Sequence, residues 1–299
     1  MKKITFLFFT LCLLAFISCK KDKVETTPVD SPIVVDSNRK NLNISLLLDL
    51  SDRISPQKYP NPAMEFYQRD AAYITSVANS FLSHVRSKKV IKLNDQMQLF
   101  FNPEPSNPEI NKLSTELKTM FNKNTEKKQI DEVKTVYETH PLKIYESAIK
   151  DGKYIGSDTW SFFKDNVRSY CMKDTHRNIL VILTDGYMFY ENGNRREGNQ
   201  TNYLSPEFIR SAQLTDGSWQ SKMNSGKFSF IPATENLENL EVLVLGINAN
   251  PGNPYEKDVI KAYWSKWLSD MGVKKHTILD ADLPSNLDSV IRDFILAKK

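Results

Sequence analysis

The stretch NISLLLDLSDRIS, residues 43–55, decides the fold. Its mostly apolar residues 44–48 are typical of a strand that is buried on both faces, as in a sheet covered by helices. Open α/β sheets place their ligand sites where the chain leaves the carboxyl ends of such strands. We therefore expect the carboxylate and hydroxyl that follow this strand to face one cation. The polar residues at this strand end are Asp49, Ser51, Asp52 and Arg53.

Strands and helical patterns alternate through the rest of the chain, which predicts an α/β fold with a doubly wound, mostly parallel central sheet and helices on both faces. The predicted strands cover residues 43–49, 95–102, 178–186, 240–248 and 274–280. The predicted helices cover residues 62–88, 108–121, 130–150, 159–172, 256–271 and 284–297. Residues 187–238 are polar and far longer than an ordinary connection, so we expect a functional insertion or partial disorder there.

The first residues predict export and a lipid anchor. Lys2 and Lys3 precede an apolar run, residues 4–17, which is shorter than the ~20 residues of a comfortable membrane span. The sequence LAFISC, residues 14–19, resembles a bacterial lipoprotein cleavage box in which Cys19 would receive lipid. An ordinary cleaved signal peptide or an N-terminal anchor helix is the alternative.

The domain division follows from that interpretation. Residues 1–18 form the signal peptide, residues 19–40 a lipidated flexible tether, and residues 41–299 one α/β domain with its insertion at about 187–238. The protein would then lie in the cell envelope, attached to the membrane through lipid and facing the periplasm or the cell exterior.

Charge and cysteine content exclude other classes of function. Removal of residues 1–18 would leave 38 basic and 36 acidic side chains, a formal charge of +2, so we expect no nucleic-acid partner. Cys12 would leave with the signal peptide and Cys19 would carry lipid, which leaves Cys171 without a partner for an internal disulfide.

Acids end two of the predicted strands: Asp49 after ISLLL and Asp185 after ILVILT. With the Thr184-Asp185-Gly186 turn, this arrangement resembles the von Willebrand factor A family, across residues 41–299 in order of elements. The family's Asp-x-Ser-x-Ser motif corresponds to residues 49–53, and its middle loop to residues 156–159. The resemblance implies a metal-ion-dependent adhesion site for Mg²⁺, or Ca²⁺ or Mn²⁺, in which an acidic residue of a protein partner completes the coordination. The implied metal ligands are Asp49, Ser51, Asp158, Thr159 and Asp185.

Arg53 departs from the family pattern, because it stands where the motif has its second serine. A guanidinium has donors only and cannot bind a cation. Three hypotheses follow. Asp52 is an outer acid with Arg53 turned away as its counter-charge, Ser55 takes the serine's role, or Arg53 replaces the metal by bridging Asp49 and Asp185.

The leading functional hypothesis is a cell-envelope lipoprotein that binds a protein partner, with no enzymatic activity. Its four histidines have no ligand spacing, and the sequence contains no hydrolase or phosphate-binding motif. The alternatives are a metal-dependent extracytoplasmic hydrolase or phosphoesterase, and an envelope scaffold with a degenerate, metal-free site. We expect the aromatic residues that follow the second acidic turn to contact the partner: Tyr187, Phe189 and Tyr190.

Overall fold

The structure is a computed structural model that describes residues 40–190 and 193–297. The signal peptide, Cys19 and nearly all of the tether lie outside the described residues. Within these ranges, no helix combines the length and the apolar character that crossing a membrane requires.

Nine strands and nine α-helices make up the described ranges. The strands are β1 (Asn41–Leu48), β2 (Gln96–Phe101), β3 (Thr119–Met120), β4 (His176–Leu183), β5 (Arg196–Glu197), β6 (Gln200–Thr201), β7 (Ser229–Phe230), β8 (Leu240–Ile247) and β9 (Lys275–Asp280). The helices are α1 (Phe66–Arg86), α2 (Pro108–Glu116), α3 (Lys127–Asp151), α4 (Thr159–Ser161), α5 (Val167–Cys171), α6 (Pro206–Ser211), α7 (Trp219–Ser225), α8 (Glu256–Asp270) and α9 (Pro284–Leu296). A π-helical segment, Phe162–Asn166, joins α4 to α5.

The central sheet has the strand order β3-β2-β1-β4-β8-β9 and is parallel except for β3. The predicted α/β fold with a mostly parallel sheet is therefore confirmed. From β1 the chain adds β2 on one side, and from β4 it adds β8 and β9 on the other. The strand order thus reverses between β1 and β4, which makes this pair the topological switch point of the sheet.

Helices cover both faces of the sheet, which explains why its central strands are apolar throughout. On β4, Ile179, Val181 and Leu183 pack against α1, α3 and α9. The intervening Leu180 and Ile182 pack on the opposite face, against the helical segment 159–171 and α8. Since alternate residues of a strand point to opposite faces, burial on both sides removes the polar alternation of a half-exposed strand.

The described part of the insertion, residues 193–238, forms a small sheet of order β5-β6-β7 together with α6 and α7. Phe230 packs against Tyr263 and Trp267 of α8 with ring centroids 5.3 and 5.4 Å apart. The indole nitrogens of Trp160 and Trp267 both donate to the Ile231 carbonyl. This region therefore belongs to the same hydrophobic core as α8 and the face of β4 that carries Leu180 and Ile182.

One predicted helix is too long. The helix predicted over residues 108–121 ends at Glu116, and Thr119–Met120 instead pair with the beginning of β2. The Phe121 amide donates to the Asp95 carbonyl at 2.8 Å. Pairing with a distant strand therefore overrides the local helical pattern.

Candidate functional site

Asp49 follows β1 and is fixed at the switch point. Its backbone amide donates to the Leu183 carbonyl at the end of β4, and the residue is 3% exposed. Oδ1 accepts the Ser51 amide at 2.8 Å, and Oδ2 accepts the Thr184 hydroxyl at 3.0 Å. The ends of two neighbouring strands are thereby joined through this carboxylate.

Arg53 lies on a 3₁₀ turn, Asp52–Ile54, and is 5% exposed. Its Nε is 3.5 Å from Asp49 Oδ2, while Nη2 donates to Asp70 Oδ2 at 2.5 Å and to the Leu183 carbonyl at 3.0 Å. Burial opposes the charge of the guanidinium, but Asp70 and then Asp49 raise the pKa of Arg53 above its ordinary value. Its partners are thus Asp49 and Asp70, and no ion pair with Asp185 is found among the described residues.

Asp70 is the residue that the sequence hypotheses missed. It lies on α1, is 2% exposed, and accepts the Tyr145 hydroxyl at 3.1 Å in addition to Arg53. Burial raises its pKa, and the guanidinium of Arg53 opposes that rise. The spacing of Asp70 from Phe66, Tyr73 and Val77 was the available signal, because these positions share one face of a helix and an acid on such a face needs a buried partner.

Asp185 follows β4 and lacks a cationic partner within the described ranges. Its Oδ1 accepts the Tyr187 amide at 3.0 Å. Burial, followed by the negative charge of Asp49, raises the pKa of Asp185 to about 7, although Arg53 opposes the shift. The cluster thus contains the buried acids Asp49 and Asp70, which contact the guanidinium of Arg53, and the partly exposed Asp185, which does not. The cluster therefore favours the binding of a further cation.

The Gly186 turn holds Asp185 in place. Gly186 has φ +97°, and a Cβ there would lie 2.4 Å from Ile260 Cγ2 and 2.8 Å from Ile247 Cδ1. Its carbonyl accepts the Trp264 indole nitrogen at 2.8 Å. A glycine is required here by conformation and by the close approach of α8 and β8.

The middle loop contributes a residue other than those predicted. Ser157 lines the pocket beside the acidic turns, whereas Asp158 and Thr159 are not among its lining residues. Asp158 Oδ1 instead caps α4 by accepting the Ser161 amide at 3.0 Å. Thr159 is 2% exposed, with its hydroxyl 3.1 Å from that of Ser157.

A cavity of about 630 Å³ opens at this edge of the sheet. Its lining includes the polar residues Asp49, Ser51, Asp52, Arg53, Lys58 and Asp185 together with several aromatic side chains, and the exposed aromatic rings mark its mouth. Those rings belong to Tyr59, Phe66, Tyr154, Tyr187 and Phe189.

Two of those rings are exposed, and a third is held by hydrogen bonds of its hydroxyl group. Tyr59 and Phe189 are 46% and 48% exposed at the mouth. The Tyr187 hydroxyl donates to Glu256 Oε1 at 2.5 Å and accepts the Asn250 amide at 3.0 Å. Tyr190 is half-buried and is not one of the residues that line the cavity.

Asp52 lines the same cavity as Asp49 and Asp185, but its side chain and that of Ser55 have partners other than Arg53. Asp52 Oδ2 pairs with Lys58 Nζ at 2.8 Å on the surface, and Ser55 contacts Gln57. Lys58 also lies over the Tyr154 ring, 5.5 Å from its centroid. Asp52 is therefore neutralised by Lys58 and not by Arg53.

Within the described ranges, no three side chains of the His, Cys, Asp and Glu types form a metal-binding group. A divalent cation at this edge would therefore depend on the oxygens of Asp49, Asp185, Ser51, Ser157 and water. Such a set suits Mg²⁺, which is commonly bound by one or two carboxylates and keeps several waters.

Comparisons with known proteins identify no family. No protein-family model and no curated protein matches the chain. Among solved structures, the pilus adhesin SpaC from Lactobacillus rhamnosus GG in its open conformation is similar, with 14% identity and a TM-score of 0.40 over 88% of this chain. An aerotolerance-related membrane protein from Bacteroides fragilis NCTC 9343 is similar over 86% of this chain, with 13% identity and a TM-score of 0.38.

The two matches differ in extent. This chain covers 30% of the adhesin and all of the aerotolerance-related protein. At these identities and TM-scores, neither match carries an argument about the function of this chain.

Proposed function

We propose that this protein is a lipid-anchored component of the cell envelope whose von Willebrand factor A-like domain binds a protein partner at the carboxyl edge of its sheet. One observation carries the proposal: Asp49 and Asp185 end the two strands of the switch point and line the same cavity. Ligands of open α/β sheets bind at such points. The anchor rests on the sequence of residues 1–19 alone.

We further propose that this edge of the sheet binds a divalent cation, Mg²⁺ or alternatively Ca²⁺ or Mn²⁺. Asp49, Ser51, Ser157 and Asp185 would hold it, and when bound it would supply a positive centre for an acidic residue of the partner. The contact between Arg53 and Asp70 supports this, because Asp70 offsets the charge of the guanidinium. When all are ionised, the three acids Asp49, Asp70 and Asp185 exceed the charge of Arg53 by two, which would match a cation of charge +2.

The mouth of the cavity supplies the proposed contact surface. Phe189 and Tyr59 present exposed rings, while Tyr187 is held by Glu256 and Asn250. Aromatic residues are enriched in protein interfaces because they bury a large area with few rotatable bonds. We therefore propose that Phe189 and Tyr59 contact the partner directly and that Tyr187 stabilises the loop that follows Gly186.

Thermal unfolding tests the cation. The full chain is heated in EDTA and then in excess Mg²⁺, Ca²⁺ or Mn²⁺, beside Asp185→Asn and the matched control Asp131→Asn on the surface of α3. A ligand at 100 times its dissociation constant adds about 2.7 kcal/mol, which raises Tm by a few degrees in a domain of this size. We expect the increase in the native chain and the control but not in Asp185→Asn. No increase with any of the three ions would contradict the metal part of the proposal.

The size of the cavity favours one alternative, a hydrolase or phosphoesterase. A volume of about 630 Å³ lies within the range of small-molecule sites. Hydrolysis of p-nitrophenyl acetate and p-nitrophenyl phosphate by the native chain, compared with Asp185→Asn, separates the two functions. We expect no hydrolysis that depends on Asp185, and a rate lost with this substitution would establish the enzyme instead.

A further inference from the structure

The end of the sheet at which the parallel strands begin, here called the amino edge, lies opposite the cavity. It exposes apolar side chains. Ile91 and Met120, at 74% and 60%, are the most exposed large apolar residues within the described ranges, and Val90 nearby is 48% exposed. Val90 and Ile91 lie on a 3₁₀ turn, Val90–Lys92, that follows α1 closely. Met120 belongs to the edge strand β3.

Hydrogen bonds place this turn and β3 at the same edge. Lys88, just before the turn, binds Asn41 at the first residue of β1 and Asp95 at 2.6 Å. Met120 is paired with Gln96 at the first residue of β2, and the Phe121 amide donates to the Asp95 carbonyl. The exposed apolar residues therefore flank the place where the described chain enters the sheet.

Lysines flank these apolar residues in the sequence. Lys89, Lys92, Lys118 and Lys123 are exposed, and none makes an ion pair with another described residue. Of the nearby acids, Glu126 makes no ion pair with a described residue and Glu132 is 3.6 Å from Lys128, while three others are paired or buried. Asp131 pairs with Arg86 at 2.7 Å, Glu116 with His140 at 2.7 Å, and Asp95 is buried. Apolar side chains within a basic surface are complementary to an anionic lipid surface.

The length of the preceding chain permits this occupant without selecting it. Residues 20–39 separate Cys19 from the start of the described domain, and a chain of that length spans at most about 70 Å even when fully extended. A lipid on Cys19 would hold the amino edge within this distance of the membrane. The carboxyl edge with its cavity lies at the other end of the strands.

We propose that the amino edge binds the anionic membrane surface, with Val90, Ile91 and Met120 among the lipid headgroups and the lysines on their phosphates. The cavity then faces away from the membrane, toward a partner. The proposal rests on the proposed lipid anchor for its orientation, but the surface itself consists of described residues.

Fluorescence quenching by brominated lipids tests the orientation in the full lipidated chain. A bimane label is attached at Ile91→Cys or, as the matched control, at Leu283→Cys, which is 38% exposed at the carboxyl edge. Cys171 is buried and Cys19 would carry lipid, so the label reacts at the introduced thiol. In vesicles of phosphatidylethanolamine and phosphatidylglycerol we expect quenching severalfold stronger at position 91 than at position 283.

Charge reversal provides the second arm. Lys89→Glu with Lys92→Glu, in the Ile91→Cys background, is expected to remove most of the quenching, as is salt at about 1 M, which shortens the Debye length to ~3 Å. Equal quenching at positions 91 and 283, or no effect of charge reversal, would overturn the proposal. The amino edge would then be free for a protein partner.

A separate measurement shows whether the proposed lipid anchor is present. The mass of the purified protein reports whether Cys19 carries lipid. If it does not, Cys12 and Cys19 are replaced by serine before labelling, and the label at position 91 is still expected to be quenched on added vesicles of the same composition and not on phosphatidylcholine alone. Absence of quenching there would overturn the surface proposal by itself.

Discussion

The two ends of the central sheet hold acids in opposite environments. At the amino end, Asp95 is 1% exposed and accepts the Leu42 amide at 2.7 Å and Lys88 Nζ at 2.6 Å, with His84 Nε2 at 3.2 Å. Burial alone would raise its pKa, but His84 and Lys88 lower it below the ordinary value. At the carboxyl end, burial raises the pKa of Asp185 to about 7, and no cation among the described residues contacts it.

The difference separates an acid that stabilises the fold from one that is available to a ligand. Asp95 is matched by donors and a cation, so its ionised form stabilises the folded state. Asp185 is ionised at some cost to the folded state, which a bound cation would offset. Sites that bind ligands commonly retain such unfavourable groups, and their removal often stabilises a protein.

The largest expected effect is that of Asp95→Asn. The amide can still accept the Leu42 N–H, but Lys88 would lose its carboxylate while its side chain is only 2% exposed. Breaking a buried pair typically costs about 3–5 kcal/mol, because one charge is left without compensation. Urea unfolding at pH 7 measures the loss. The control Asp131→Asn disrupts an exposed pair and should cost less than about 1 kcal/mol.

The pH dependence sharpens this prediction. Because the folded-state pKa of Asp95 lies below the unfolded value of 3.8, its stabilisation is present above about pH 3.8 and is lost as the pH falls through the folded pKa. The difference in unfolding free energy between the native chain and Asp95→Asn should therefore shrink as the pH falls below 3.8. A constant difference down to pH 2 would contradict the contribution of ionised Asp95.

An intermediate effect is expected for Arg53 and Asp70. Arg53→Met leaves both Asp49 and Asp70 without their cation, and Asp70→Asn leaves Arg53 with Asp49 alone. Each should lower the free energy of unfolding by roughly 2–4 kcal/mol. The double variant should cost less than the sum, with a coupling of roughly 1–3 kcal/mol. Additive losses would mean that Asp70 does not offset Arg53.

Much of the fold could be predicted because its signals are local or periodic. The apolar runs of β1, β4 and β8 identify strands covered on both faces, and α1 shows the 3.6-residue spacing of an amphipathic helix. The two-residue strand β3 could not be predicted, because it depends on pairing with β2 and on the carbonyl of Asp95.

The candidate site was predictable only where an acid ends a strand. Asp49 and Asp185 follow from topology, since the ends of adjacent parallel strands meet at one edge. The partner of Arg53 did not follow, because Asp70 is brought to it by the packing of α1 on the sheet. The sequence also did not predict that Ser157 lines the cavity while Asp158 caps α4. The conformation of the loop decides which of these side chains faces the cavity. The metal and its ligands stay predictions.

The smallest expected effect is a gain, from Asp185→Asn in EDTA at pH 8. The amide oxygen can still accept the Tyr187 N–H, while the repulsion from Asp49 and the burial of a second charge are removed. We expect the free energy of unfolding to rise by about 1–2 kcal/mol, since a shift of one pKa unit corresponds to about 1.4 kcal/mol and part of the cluster relaxes. Excess Mg²⁺ should narrow the gap by stabilising only the native chain. A loss of stability like that of Asp95→Asn would mean that both ends of the sheet hold their acids for the same structural reason.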